Sequence, residues 1–123
     1  MRTSPKMLKS HTAACDFDWH QLNQLAGEDA DFESELLTIF LQDAENSLHE
    51  IRSAIAAKNI PALEEAAHAL KGASANVGAR ALAATASQLE QIARSGNIQG
   101  AHALMQKLTR LCLSVQAQLQ TRR

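Results

Sequence analysis

Apolar residues recur at Phe32, Leu36, Leu37, Phe40, Leu41, Ala44, Leu48, Ile51 and Ile55, the i, i+3, i+4, i+7 spacing of one helix face. A strand cannot use that pattern, because its side chains change face at every residue. The stripe predicts a helix from about Asp29 to Lys58, roughly 45 Å long at 1.5 Å per residue. Asp29, Asp31, Glu33 and Glu35 crowd its start and Arg52 and Lys58 lie near its end, both favourable to the helix dipole.

The same period continues in shorter runs. Asp16 or Asp18 can cap a short first helix reaching about Leu25, with Trp19, Leu22 and Leu25 on one side. Ala26-Gly27-Glu28-Asp29 breaks it. After the long helix, Asn59-Ile60-Pro61 is a turn leading into a helix, Asn59 being a good N-cap and Pro tolerated in a first turn. That third helix carries Leu63, Ala66, Ala67, Leu70, Ser74 and Val77 on one face and ends or bends at Gly78. A fourth, from about Ala79, uses Leu82, Ala83, Ala86, Leu89, Ile92 and Ala93, and Ser95-Gly96-Asn97 stops it. A fifth uses Ala101, Leu104, Leu108, Leu111, Cys112, Val115 and Leu119. Breaks this short make neighbours antiparallel. The expected fold is all-α: an up-down-up-down four-helix bundle over residues 16–123, with a short extra N-terminal helix as a lid on one end. Residues 1–15 lack periodicity and read as a flexible tail or linker.

Composition agrees and narrows the function classes. Aromatic residues are 3% and Tyr is absent, which suits helices and not strands. At 123 residues the chain fits one domain. Lys+Arg (12) nearly balance Asp+Glu (13), so there is no basic excess for nucleic acid. No run of ~18 apolar residues would span a membrane. The N-terminus has no apolar stretch of the secretory type, which also defeats a lipoprotein reading of Thr12-Ala13-Ala14-Cys15. Two cysteines, Cys15 and Cys112, are too few for a disulfide scaffold. A cytoplasmic setting is expected.

No P-loop, dinucleotide fingerprint, C-x-x-C or H-E-x-x-H occurs. Five histidines remain. His11 lies in the tail, and His20, His49 and His102 fall on polar or flanking helix positions. His68 differs. With Leu63 at zero and about 100° per residue, the apolar face centres near 0° and His68 lies at about 140°. Lys71, Glu64, Ala75, Gly72 and Glu65 fall at about 80°, 100°, 120°, 180° and 200°. His68 is thus expected to be exposed in mid-helix, with a cation at i+3 and bare backbone at i+4. A mid-helix Gly costs ~1 kcal/mol relative to Ala. Two readings of Gly72 remain: a tight helix crossing, or access for a partner that must come close to the backbone beside His68. A neutral imidazole can attack a phosphoryl group and hold it as a labile phosphoramidate. Lys71 could screen the incoming charge. No metal or nucleotide site accompanies them, so a partner would have to supply the electrostatics.

Ala67-His68-Ala69-Leu70-Lys71-Gly72-Ala73-Ser74-Ala75-Asn76-Val77-Gly78 resembles the core motif of histidine-containing phosphotransfer (HPt) domains, and Leu82 and Leu89-Glu90 fit the same pattern. The likeness covers about Asp16 to Gln120. It implies that His68 is the phosphoacceptor, that Lys71 helps hold the phosphoryl group, and that Gly72 lets a receiver domain close over His68. It further implies that Gly78 shapes the hairpin turn, and that Glu90 stands where some members have a Gln that orients the imidazole. Glu90 as an ordinary surface charge remains the alternative. The implied function is a phosphorelay intermediate that takes a phosphoryl group from one receiver aspartate and passes it to another. It has no cofactor of its own, and Mg²⁺ sits on the partner response-regulator receiver. It is a phosphocarrier and no kinase. A free carrier and the C-terminal HPt domain of a hybrid sensor kinase fit equally, the latter with a membrane-anchored parent.

Three rivals carry less. Glu65-Ala66-Ala67-His68 matches the Glu-x-x-His ligand pair of di-iron bundles, but there is no second pair and His68 points outward. A stand-alone hydrolase lacks a nucleophile, an oxyanion hole and a pocket. A helical adaptor that binds a partner without chemistry leaves the His/Lys/Gly cluster unexplained.

Overall fold

The computed structural model describes residues 17–122, and the expectations for residues 1–15, with His11 and Cys15, lie outside them, as does Asp16. The described residues form five helices: α1 (Trp19–Leu25), α2 (Ala30–Ala57), α3 (Ile60–Val77), α4 (Arg80–Arg94) and α5 (Ala101–Arg122). α2 packs on α3, α3 on α4, α4 on α5 and α5 back on α2, which closes an antiparallel up-down-up-down bundle. α1 contacts α2 and α3. No helix among the described residues is long and apolar enough to cross a membrane.

Local chemistry sets the helix ends. Asp18 caps α1 by accepting from the Gln21 backbone N–H, Asp29 caps α2 by accepting from Asp31 and Phe32, and Asn59 caps α3 by accepting from Ala62. Each side-chain oxygen satisfies amides that have no partner within their helix. Lys58 closes α2 in the left-handed conformation, with φ 54°.

The core stripe of α3 is the expected one: Leu63, Ala66, Ala67, Leu70, Ser74 and Val77 are all buried. The α2 stripe needs one correction. Phe32 is 44% exposed, and Glu33 takes the buried position one residue on. Glu33 lies in the first turn, where the helix dipole favours a carboxylate, and the Asn23 amide comes within 3.4 Å of its Oε2. Leu25 is likewise 45% exposed rather than turned inward with Leu22. It is the last residue of α1, and the chain turns away at once through Gly27 and Glu28, both with positive φ.

The lid is fastened at Gly78. This residue ends α3 with φ 86°, and its carbonyl accepts from the Asp18 N–H at 2.7 Å. Phe17 and Ala79 form an isolated antiparallel bridge beside it. Gln21 Nε2 donates to the Ala75 and Asn76 carbonyls, in the last turn of α3 where carbonyls have no i+4 partner within the helix. Arg80 pairs with Asp18 at 2.8 Å, and the Trp19 indole N–H donates to Gln118 at the far end of α5. A Cβ at Gly78 would lie 2.8 Å from the Asp18 carbonyl oxygen, a backbone atom. Gly78→Ala therefore combines left-handed strain with a clash against backbone, and a loss of ~2 kcal/mol or more is expected in urea unfolding. A loss under ~0.5 kcal/mol would show that the 17–18 segment gives way freely.

Candidate functional site

α3 and α4 leave Gly78 as an antiparallel pair with the most extensive helix–helix contact in the bundle, so residues of α3 before the turn face residues of α4 after it. On α4 the buried face runs Leu82, Thr85, Ala86, Leu89, Glu90 and Ala93. Glu90 lies on that face in the packed bundle, beside Leu89 and one turn beyond Ala86. A carboxylate in such a position requires compensation, because an unpaired buried charge is costly.

α3 supplies it. His68 Nδ1 lies 2.8 Å from Glu90 Oε2 and Lys71 Nζ lies 2.7 Å from Oε1. Arg94, one turn on along α4, brings Nη2 to 3.0 Å from the same Oε2 and pairs through Nε with Glu64 of α3 at 2.9 Å. The Lys71 hydrogen bond, chiefly, and that of His68 hold the Glu90 carboxyl below its ordinary value against the opposing effect of burial. An ionised carboxylate can only accept, so the proton of the neutral ring sits on Nδ1 and the Nε2 lone pair is free. The His68 side chain is 68% exposed while that of Glu90 is 5% exposed. The imidazole is thus held from beneath and open from above.

Gly72 is exposed, and a Cβ built on it would meet nothing within 4 Å. The tight-crossing reading therefore fails, for no neighbouring helix approaches there.

The structure brings His68, Lys71 and Glu90 into one cluster, and Gly72 lies one turn beyond His68. Glu90 is no surface charge. Lys71 is not a free ammonium but an ion-pair partner of Glu90. Sequence reasoning missed Arg94 and gave Glu64 only a place on the helical wheel. The signal was the spacing: Glu64 to His68 and Glu90 to Arg94 are both i, i+4 pairs. His20, His49 and His102 are exposed. Glu65 is exposed on the outer side of α3, and among the described residues no group of three or more His, Cys, Asp and Glu converges as a metal site.

The lowered Glu90 pKa predicts a pH dependence. A group whose pKa is depressed by folding stabilises the fold above its unfolded value and loses that contribution as pH falls through the folded value. The stability difference between the wild type and Glu90→Gln should thus be largest near neutral pH and shrink below the ordinary glutamate range. Urea titrations of both proteins from neutral pH to about pH 3 check this, and a difference that does not change with pH would contradict it.

A family model for the Hpt domain matches residues 35–120. Among solved structures, the chain is similar to histidine-containing phosphotransfer protein B (HptB) from Pseudomonas aeruginosa PAO1. The two are 33% identical with a TM-score of 0.81, over 87% of this chain and 93% of that one. The HPT domain of a sensor hybrid histidine kinase from Shewanella shares the fold, at 15% identity and a TM-score of 0.70, over 88% of this chain and 93% of that one. No curated protein matches.

Proposed function

The chain belongs to the Hpt domain family of phosphorelay phosphocarriers, and from that premise we propose that His68 is its phosphoacceptor, charged by the aspartyl phosphate of a response-regulator receiver. One observation carries the assignment. His68 is the exposed histidine whose Nδ1 is held 2.8 Å from a buried carboxylate, which leaves Nε2 as the nucleophile facing outward.

In the proposed step Nε2 attacks phosphorus, and the bond from phosphorus to the aspartyl oxygen breaks. The aspartate leaves as carboxylate with the electron pair. The ring keeps its Nδ1 proton, and its developing positive charge faces Glu90. Lys71 offers its ammonium to the phosphoryl oxygens. Gly72 leaves room for the receiver's active site, whose Mg²⁺ would add charge stabilisation to that of Lys71. The reverse steps pass the group to a second receiver. Hpt domains are phosphocarriers and not kinases. Whether the carrier acts alone or as the last module of a hybrid sensor kinase changes the partner and not the chemistry.

The test is transfer. A receiver domain is charged with acetyl phosphate, mixed with this protein, and both are read by intact mass. The expected result is a gain of one acid-labile phosphoryl group by this chain with matching loss from the receiver. No gain from several charged receivers, with the bundle still folded, would move the reading to a helical adaptor.

A further inference from the structure

Two cations touch Glu90, and the second of them is shared with Glu64. Lys71 Nζ, at 2.7 Å from Oε1, is the first. Arg94 Nη2, at 3.0 Å from Oε2, is a second cation on the same group. Arg94 is itself anchored, since its Nε reaches Glu64 Oε2 at 2.9 Å. His68–Glu90 and Glu64–Arg94 are therefore two parallel ties between α3 and α4, one helical turn apart, with Lys71 as a third.

The second cation acquires a use once His68 carries a phosphoryl group. That group adds about two negative charges beside a carboxylate. Lys71 is a flexible ammonium three residues along the same helix, and it is the cation able to swing to the new charge. With Lys71 as sole counter-ion, that movement would strand a buried carboxylate, a strongly unfavourable outcome. Arg94 removes the conflict.

We propose that Arg94 is the reserve counter-ion of Glu90: steadied by Glu64, it keeps the carboxylate ionised and on Nδ1 while Lys71 turns to the phosphoryl group. Arg94 is a positioning residue that acts through Glu90. The proposal rests on His68 being the phosphoacceptor.

The test needs no partner protein. Potassium phosphoramidate is incubated with the full chain at fixed ammonium concentration. Its phosphorus–nitrogen bond breaks, the bond from phosphorus to Nε2 forms, and ammonia leaves, the ring keeping its Nδ1 proton. Intact mass gives the equilibrium fraction phosphorylated. Arg94→Gln is expected to lower the equilibrium constant by about 5- to 10-fold, and Arg94→Lys to recover most of it. In a Glu90→Gln background, where no carboxylate needs a reserve cation, Arg94→Gln should change it by less than about twofold. No loss on Arg94→Gln overturns the proposal. So does an equal loss in the Glu90→Gln background, which would mean that Arg94 acts on the phosphoryl group directly.

A second measurement reads the carboxylate alone, by the pH titration of its side-chain carbon in NMR. Glu90 should stay ionised at neutral pH in Lys71→Gln. Its midpoint should rise in Lys71→Gln and rise much further in Lys71→Gln/Arg94→Gln. A rise as large in Lys71→Gln alone overturns the proposal. Failure of the wild type to take up phosphate, with this titration as expected, overturns the phosphoacceptor reading and leaves Arg94 as Glu90's second counter-ion.

Discussion

His68→Gln is expected to abolish phosphoryl uptake, from a charged receiver and from phosphoramidate alike, while the bundle stays folded. Gln can still donate an amide N–H toward Glu90, so the buried carboxylate keeps a hydrogen-bond donor beside its two cations. What disappears is the Nε2 lone pair, and an amide nitrogen is no nucleophile toward phosphorus. Because the replaced side chain is 68% exposed, the melting temperature should move by no more than about 4 °C. The other described histidines give a built-in check: His20, His49 and His102 are also exposed but have no carboxylate bridge of this kind. An acid-labile phosphoryl group that persists in the His68→Gln protein would place the acceptor on another histidine and sink the assignment. Loss of the signal together with loss of helicity would sink it differently, by showing that His68 holds the bundle together.

The helices were legible because each signal is local. Asp29 and Asn59 announce the starts of α2 and α3, Gly78 the end of α3, and the 3.6-residue period fixes which face of α3 is buried. The outward place of His68 follows from the same arithmetic. Where the period met a helix end it failed: Phe32 and Leu25 lie at termini, where a side chain can pass the edge of the bundle and leave the core face unfilled or filled by Glu33. The site was legible only in part. Its motif gave His68, Lys71 and Gly72, all on one helix. What joins α3 to α4 depends on how the two helices are phased about Gly78, and no spacing within one helix contains that. Hence Glu90 could be read as orienting residue or surface charge, and Arg94 only as a residue at i+4 from it. A buried carboxylate with two cations and an imidazole on it is a property of the packed pair.

Gly72→Gln should separate stability from function more sharply than any other substitution in this chain. The site is exposed, and an added Cβ meets nothing within 4 Å. Replacing a mid-helix Gly with a good helix former should stabilise the bundle by up to ~1 kcal/mol, since it removes backbone freedom from the unfolded chain. Phosphoramidate, a small donor, should label His68 in this variant at close to the wild-type rate. A receiver must bring its whole active site over Nε2, and the new side chain stands one turn from the imidazole on the same exposed side. A displacement of about 1 Å at the reacting atoms can cost on the order of 100-fold in rate, so transfer from a charged receiver should fall by about that factor. Three measurements decide it: urea unfolding, phosphoramidate labelling and receiver transfer. Receiver transfer within about threefold of wild type would mean that Gly72 is not under the docked partner. Its cost to helix stability would then lack the reason assigned to it here.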